Sequence, residues 1–436
     1  MATILTKGWD LITAISQQNL NLLISGAFAK GEIPSTFTKK DKEISATINI
    51  SAPTVDLNPV QPAGQLRYVG ITFPMVGGSV TVGNITMSIS QGTLGVITSL
   101  CYVHGEATNN GHTDKLSLDF TDPAAIYKVT VSEPTWPSEL VTALELGLKA
   151  YLQILTPGSI SLGEVTFPVE ASALVPVGEA DFAIQLATDP NQNTLMLLMV
   201  TASGSTPTGP DATDFSKSPA IIPSGQQSAF YVSNRLLIQG IIVPQIASSL
   251  SVPVTSFSLQ GNITTPYTAT FNGSKDMGGQ YSPELVGLSI NVNNNQQVQS
   301  AYTIYAHPLF NAGRTYYVEV VGNIFVSISL NNQVITFNTT ADKGSGSIKA
   351  SVLGWLIVVA AIIATFGTLG AFLGAVLAIV VPILITQLKF PITLPPSLLN
   401  QINEALHSVT WFEQKSFPLD SIQLPGDLII FGKPTA

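Results

Sequence analysis

Charged side chains are scarce in this sequence of 436 residues. They make up 10% of the residues, against about 25% in a typical soluble domain. The hydrophobic share is an ordinary 45%, so uncharged polar residues and glycine take the place of the missing charges. Such polar residues tolerate the alternating faces of β-strands. The composition therefore favours extended β-structure.

Basic residues and cysteine are scarce as well, and each scarcity excludes a class of interaction. The net charge is −9, whereas nucleic acid binding depends on clustered lysine and arginine. Docking on anionic lipid headgroups through a basic patch is disfavoured for the same reason. The only cysteine, Cys101, excludes a disulfide within the chain. The sequence therefore predicts no nucleic acid partner.

Motifs of catalytic or phosphate-binding chemistry are also absent. The sequence contains no phosphate-binding loop, no Gly-x-Ser-x-Gly elbow and no His-Glu-x-x-His. Two of its four histidines, His104 and His112, lie near Glu106 and Asp114. A wide hairpin could bring these side chains into a metal site, but the spacing matches no metal signature and the Asn-Asn-Gly between them is typical of a turn. We therefore predict a protein that is not an enzyme and has no metal or other cofactor.

The N-terminus has no recognisable secretory signal. The opening "MATILTKGWDLITAI" lacks a basic start followed by a clean apolar run, because Asp10 interrupts it. The prediction is a protein that is cytoplasmic at synthesis and that would be released only by a non-classical route.

Strand patterns are common along the chain. In "EISATINI" the residues Ile44, Ala46, Ile48 and Ile50 share one face and polar residues share the other. The segments "SVTVGNITMSIS", "SFSLQGNITTPYTATF" and "NIFVSISLNNQVITF" repeat this alternation around Gly-Asn or Asn-Asn turns. One apolar face and one polar face per strand predict long antiparallel sheets wrapped around something apolar.

Helical periodicity is present in the first half of the sequence. "GWDLITAISQQNLNLLI" spaces Leu11 and Ile15 one helical turn apart. "PSELVTALELGLKAYLQIL" repeats leucine every four residues, with Pro137 suited to the start and Pro157 to the stop. Both segments are predicted to be helices.

The second half contains two further helical segments. "SAFYVSNRLLIQGIIVPQIASSL" places Leu237 and Ile241 near one face, with a kink expected at Pro244. "PPSLLNQINEALHSV" predicts a helix after two prolines. The order helix, strands, helix, strands therefore occurs twice.

A polar, proline-rich stretch separates the two halves. Residues 201 to 227, "TASGSTPTGPDATDFSKSPAIIPSGQQ", are dense in Gly, Pro, Ser and Thr, a composition typical of a loop or linker. We predict two modules, residues 1–205 and residues 206–436.

An apolar stretch with no ionisable group runs from Ala350 to Leu388. Mid-way glycines and Pro382 predict a hairpin over residues 352–386, made of two helices of roughly 12–15 residues, each too short to span a bilayer. A hairpin without a polar face has to be covered all round. Protein, a partner chain or lipid could supply the cover, so a packed hairpin, a membrane-inserting segment and a permanent span all stay open.

Both ends of the sequence resemble those of a bacterial family. Gly8, Trp9 and Asp10, followed by Asn19 and Asn21, are similar to the opening of the forty-seven-kilodalton proteins encoded beside clostridial neurotoxin genes. The ending "FPLDSIQLPGDLIIFGKP" is similar to the way these chains finish. The matched motifs cover about a tenth of the chain.

The resemblance implies the fold of the tubular lipid-binding (TULIP) superfamily. That fold is α+β and β-rich, with long curved antiparallel sheets wrapped around long helices. Both modules would then be TULIP-like and elongated, with the apolar hairpin near the C-terminus. Superfamily members typically hold acyl chains in an apolar groove between helix and sheet, and this family is associated with toxin delivery as accessory proteins. The implied partners are a lipid or membrane surface and other proteins of a toxin cluster.

No ligand motif of the family can be carried over, so the expected contacts come from apolar patterning. The predicted lipid-binding residues are Leu11, Ile15, Leu144, Leu148, Leu237 and Ile241. The predicted membrane or partner contacts are Trp355, Leu356, Phe366, Phe372 and Leu373.

Three functions remain consistent with the sequence. The leading hypothesis is a non-enzymatic accessory protein that holds acyl chains. The second is a structural component of the same assembly, whose core is filled by side chains and holds no lipid. The third is pore-like membrane insertion of the hairpin.

Overall fold

A computed structural model gives the arrangement of most of the chain. It describes residues 4–40, 44–60, 67–109, 111–132, 136–154, 160–168, 174–202, 204–278, 282–307, 316–332, 334–342, 344–350, 369–388, 404–406, 408–411 and 418–433.

Strands predominate among the described residues. They are β1 Leu11–Ser16, β2 Thr36–Lys40, β3 Ile44–Ile50, β4 Thr54–Asp56, β5 Tyr68–Val82, β6 Ile85–Ile89, β7 Gly92–Val103, β8 His112–Leu118, β9 Ile126–Val131, β10 Ser161–Phe167, β11 Pro176–Gln185, β12 Thr194–Thr201, β13 Ser228–Val232, β14 Phe257–Gln260, β15 Thr268–Phe271, β16 Lys275–Asp276, β17 Glu284–Val292, β18 Gln297–Ala306, β19 Tyr316–Asn331, β20 Val334–Ala341, β21 Ser345–Ala350, β22 Val409–Thr410, β23 Leu419–Gln423 and β24 Leu428–Gly432. The α-helices are α1 Gln17–Ala29, α2 Ser138–Ile154, α3 Val243–Leu250 and α4 Leu369–Leu388, and a π-helical segment, Leu236–Ile242, precedes α3.

These strands form three sheets. The ten-stranded sheet has the order β2-β3-β5-β7-β8-β10-β22, with β4 and β6 on β5 and β9 on β7. The eight-stranded sheet has the order β14-β15-β17-β18-β19-β20, with β16 on β17 and β21 on β19. A six-stranded sheet has the order β11-β12-β1-β13-β24-β23. All pairs of the ten-stranded and eight-stranded sheets are antiparallel.

The chain divides into two compact units. The first comprises Met1–Asp10, Tyr231–Gln401 and Ser421–Ile429, and the second comprises Leu11–Phe230, Ile402–Asp420 and Ile430–Ala436. The division falls at residues 230 and 231, after the proline-rich stretch. The boundary between residues 205 and 206 stays a prediction.

In the second unit, helix α2 lies in the curve of the ten-stranded sheet. It packs mainly against β2 and β3 on one side and against β9 on the other, and makes fewer contacts with β5 and β7 between them. A flat sheet would bring the middle strands closest, so the sheet must be concave towards the helix. Leu144, Leu148 and Leu152 point inward, as their four-residue spacing predicts.

In the first unit, the helices pack on the eight-stranded sheet. The π-helical segment contacts β15, whereas α4 contacts β19 and β21 and also packs against α3. Strand β18 alternates between half-buried and buried residues along its whole length, so one face of the sheet lies under the helices. The α+β, β-rich fold expected from the sequence is confirmed.

Two of the predicted helices begin as strands. Leu11 and Ile15 belong to β1, which pairs with β12, and the helix starts only at Gln17. Residues Ser228–Val232 likewise form β13 before the π-helical segment. All residues of both strands are buried, so neither shows the alternation by which strands are recognised.

The predicted apolar hairpin is not confirmed. Residues 351–368, its first half, lie outside the described residues. The second half is one continuous helix of 20 residues, α4, with Pro382 inside it, so the predicted length of roughly 12–15 residues is wrong for this half. Val380 and Val381, which immediately precede the proline, are both buried. Within the described chain, no helix was found to be long and apolar enough to cross a membrane.

Candidate functional site

The inner face of the eight-stranded sheet, on the helix side, is almost wholly apolar. Ile290, Val298, Val320 and Ile324 are each no more than 1% exposed. They lie on the neighbouring strands β17, β18 and β19. Since residues paired across an antiparallel sheet share a face, their side chains all point to the same side. The first unit therefore contains an apolar interior between sheet and helices.

Two hydroxyls interrupt this interior. Ser300 and Tyr302 point inward from β18, and neither hydroxyl has a hydrogen-bond partner within the described residues. The Tyr302 ring lies over Gly322, where a Cβ atom would collide with the phenol oxygen. Burial and the nearby carboxylate of Asp342 raise the pKa of Tyr302 to about 12, so the phenol is neutral at physiological pH.

Helix α4 covers the edge of this interior at two glycines, Gly346 of β21 and Gly344 just before that strand. A Cβ atom built on Gly346 would lie 3.4 Å from Leu373 and 3.9 Å from Leu377. One built on Gly344 would lie 3.5 Å from Val381. These three helix residues recur every four positions and so lie on one side of α4. At these two positions the helix therefore rests on backbone that carries no side chain.

The predicted lipid-binding residues are all buried. Leu11 and Ile15 are 0% exposed on β1, and Leu144 and Leu148 are buried residues of α2 in the second unit. Leu237 and Ile241 are on the π-helical segment of the first unit, and the most exposed of all six, Ile241, is 4% exposed. Protein atoms surround these side chains, so an acyl chain would reach them only if neighbouring groups moved. Their role in lipid binding stays a prediction.

The predicted membrane or partner contacts are only partly described. Trp355, Leu356 and Phe366 lie outside the described residues. Phe372 and Leu373 are both on α4, and Leu373 is half-buried beside Gly346.

The histidine cluster is a hydrogen-bonded group at the start of β8. His104 Nδ1 lies 2.9 Å from the carboxylate of the buried residue Asp114, and His112 Nε2 lies 3.8 Å from its other oxygen. The His112 ring also stacks on Phe167. In the described part of the chain, no group of three or more His, Cys, Asp or Glu residues could hold a metal ion.

The residues that resemble the bacterial family have structural roles. Trp9 is 1% exposed, and the buried Asp10 carboxylate pairs with Arg235. The side-chain amide of Asn21, on α1, makes two hydrogen bonds to the backbone of Val55, in the manner of a neighbouring strand. It accepts from the N–H at 2.6 Å and donates to the carbonyl at 2.9 Å. The matched positions thus fix the chain ends and α1 rather than a ligand.

The sequence interpretation missed one buried carboxylate, Asp427. It accepts hydrogen bonds from the backbone N–H groups of Leu5 at 2.6 Å, Thr6 at 3.1 Å and Asn234 at 2.7 Å. Burial raises the pKa of Asp427 to about 6, against the opposing effect of these donors. A lone charge inside the apolar ending "LPGDLIIF" was the signal that could have revealed it.

These features define a class of protein, the β-rich α+β proteins whose curved antiparallel sheets pack on helices. Within this class, the fold is that of P47 from Clostridium botulinum, so the resemblance seen at the two ends of the sequence is confirmed as a likeness of fold. The crystal structure of P47 of Clostridium botulinum E1 matches with a TM-score of 0.70 and 12% identity, covering 99% of this chain and 100% of that one. P47 from Clostridium botulinum A2 matches with a TM-score of 0.69 and 16% identity, covering 99% of both chains.

The remaining comparisons do not extend the likeness of fold to P47. A lipopolysaccharide binding protein aligns over 97% of this chain with a TM-score of 0.27, which is too low to support an inference. No protein-family model and no curated protein sequence matches the chain.

Proposed function

We propose that this chain is a non-enzymatic, lipid-interacting protein in which the interior under α4 accepts an acyl chain. The observation that carries the proposal is α4 itself, a helix of 20 residues without one charged side chain, seated on Gly346 of β21 and on Gly344 just before it. The α4 side chains that meet these glycines, Leu373, Leu377 and Val381, are all apolar, and we propose that the helix separates from the strand there to admit a ligand. The surface then exposed is apolar, and burying it again is worth about 25 cal/mol per Å².

An acyl chain is the ligand that suits such a surface. It would replace the apolar contacts of Leu373, Leu377 and Val381 with contacts of the same kind. The Tyr302 hydroxyl lies close by, near Gly344, and it could donate a hydrogen bond to a lipid ester or carboxylate. As in the resembling family, we propose that the protein works beside other proteins of a toxin cluster and meets membranes through the apolar residues of 352–386.

A second candidate is a structural component of such an assembly, with no lipid. The burial of all six predicted lipid-binding residues, at no more than 4% exposure, favours this alternative. Leu and Ile side chains that touch only protein atoms need no ligand to complete their packing.

Locking α4 in place separates the two candidates. The variant carries Gly346→Cys and Leu373→Cys in a Cys101→Ser background, and a Cβ atom at position 346 meets only ordinary van der Waals contacts. Phosphatidylcholine vesicles carrying a fluorescent fatty acid are mixed with the protein before and after oxidation. We expect the reduced protein to take up the fatty acid and the oxidised protein to take up at least about tenfold less, because the open state is then removed.

The comparison uses one protein in two redox states, so folding and concentration are matched. Thiol titration establishes that the cross-link has formed, and a short bismaleimide replaces the disulfide if it has not. Uptake by neither state would favour the structural candidate, and equal uptake by both would place the lipid away from α4.

A further inference from the structure

A groove crosses the eight-stranded sheet on the face opposite α4. Its volume is about 660 Å³, within the range of roughly 300–1,000 Å³ that is common for small-molecule sites. Its lining residues are Thr270, Gly287, Leu288, Ser289, Ala301, Tyr302, Thr303, Val321, Gly322, Asn323, Asp342, Gly344 and Ser345. All of them belong to the first unit.

The pleat of the sheet explains the groove. One wall is the cross-strand row Thr270, Ser289, Ala301 and Asn323, and the other is the row of Gly287, Thr303, Val321 and Ser345. The floor of the groove, between the two walls, is the backbone of residues that face the inner side of the sheet, such as the paired residues Tyr302 and Gly322. Because alternate residues of a strand face opposite sides, the wall side chains point away from the interior under α4, and Gly344 borders both regions.

Small side chains keep the groove open. Ala301 stands in the middle of one wall, and Gly287 leaves a gap in the other wall, where the register between β17 and β18 shifts. The walls run across the strands from β15 to β21, which at about 4.8 Å per strand gives a length of roughly 19 Å. An elongated ligand would fit better than a compact one.

The lining is rich in hydroxyls, and its charged group among the described residues is the carboxylate of Asp342. Thr270, Ser289, Thr303 and Ser345 supply hydroxyl groups, and no lysine, arginine or histidine is among the described residues that line the groove. Among these described residues a phosphate or sulfate group would meet the Asp342 carboxylate rather than a cation.

Two polar side chains at one end are held in fixed positions. Asn323 donates to Asp342 at 2.9 Å and accepts from Gln299 at 2.8 Å. The Asp342 carboxylate also accepts from the backbone N–H groups of Asn323 and Gly344, both at 3.0 Å. A carboxylate has about four lone-pair sites, so it can still accept a hydrogen bond from a ligand hydroxyl without rearranging.

An aromatic pair adjoins the groove on the same face. Tyr305 lies two residues after Thr303 on β18, and its ring centroid is 4.2 Å from that of Tyr317 on β19. Tyrosine combines an apolar ring face with a polar tip, which suits a ligand that has both C–H faces and hydroxyl groups.

We propose that this groove binds an uncharged, polyhydroxylated chain, namely a short oligosaccharide. Its hydroxyls would bond to the wall hydroxyls, Asn323 and Asp342, and one sugar ring would stack on Tyr305. An acyl chain would leave these polar groups without partners, which is costly where water is excluded. The groove lies on the other face of the sheet from the proposed lipid interior, so the two proposals stand or fall separately.

The test uses the full-length protein, an array of uncharged glycans, and titration calorimetry with the glycans that bind. Ala301→Phe fills the groove from an outward-facing strand position, where an aromatic residue is well tolerated. We expect this variant, and Tyr305→Ala, to weaken glycan binding at least about tenfold, a change of about 1.4 kcal/mol. Ser327→Phe, on the same face but outside the groove, is the matched control and should bind as the unaltered protein does.

Three results would overturn the proposal. They are an array with no binding, glycan binding that Ala301→Phe leaves unchanged, and loss of binding in Ser327→Phe to the same extent. Oleate and inorganic phosphate are titrated as well. If either one binds and Ala301→Phe abolishes that binding, the ligand class proposed here is wrong.

Discussion

Replacing Asp427 by alanine is expected to lower the free energy of unfolding by about 3–5 kcal/mol, because three buried N–H donors lose their acceptor. The carboxylate is 0% exposed and accepts from three backbone N–H groups, those of Leu5, Thr6 and Asn234. Alanine leaves these buried donors unpaired, and each costs about 1–3 kcal/mol. Urea unfolding monitored by circular dichroism measures the difference.

Asp420→Ala is the matched control for this variant. Asp420 has the same side chain, lies seven residues earlier and is exposed on β23, so its replacement should change stability by no more than about 0.5 kcal/mol. Equal losses in the two variants would show that the network around Asp427 contributes nothing specific.

The same carboxyl group should also make stability depend on pH. Its pKa is raised from 3.8 to about 6 in the folded protein, so between these values the folded state holds a proton that the unfolded chain releases. The free energy of unfolding therefore falls as pH rises from about 4 to about 6, by about 3 kcal/mol for a shift of this size. Asp427→Asn cannot titrate, and the difference in stability between it and the unaltered protein should vary across this window. A constant difference would contradict the assignment.

Strands exposed on one face could be predicted from the sequence. The alternation of "EISATINI" gives β3 with the expected residues inward, since Ala46, Ile48 and Ile50 are buried. The Gly83-Asn84 turn also lies where the pattern predicts it, because Val82 pairs with Ile85. In both cases the physical signal is the contrast between a solvent-exposed face and a buried face of the strand.

Strands buried on both faces could not be predicted in this way. In β1 and β13 every residue is buried, so no contrast exists and Leu11 and Ile15 match a helical spacing equally well. The groove on the eight-stranded sheet was missed for a related reason. It arises where the small residues Gly287 and Ala301 lie diagonally across neighbouring strands, and such an arrangement depends on register, which the local sequence does not encode.

The motif that resembles the bacterial family yields the last prediction. Asp10→Ala is expected to lower the free energy of unfolding by about 3 kcal/mol or more, because it leaves the Arg235 guanidinium without its buried partner. The Asp10 side chain is 0% exposed and that of Arg235 is 19% exposed, so water reaches the arginine only in part. Guanidinium chloride unfolding followed by tryptophan fluorescence gives the measurement, since Trp9 is the adjacent residue.

Removing both charges should cost much less than removing one. In Asp10→Leu with Arg235→Met, apolar groups of similar size replace the pair, and stability is expected to stay within about 1.5 kcal/mol of the unaltered protein. If the double variant loses as much as Asp10→Ala, the loss comes from packing at residue 10 rather than from an unpaired charge. If the double variant instead keeps its stability, the role of Asp10 is to fix the position of the opening segment. The pair can do this because it joins that segment to Arg235, which is 225 residues away in sequence.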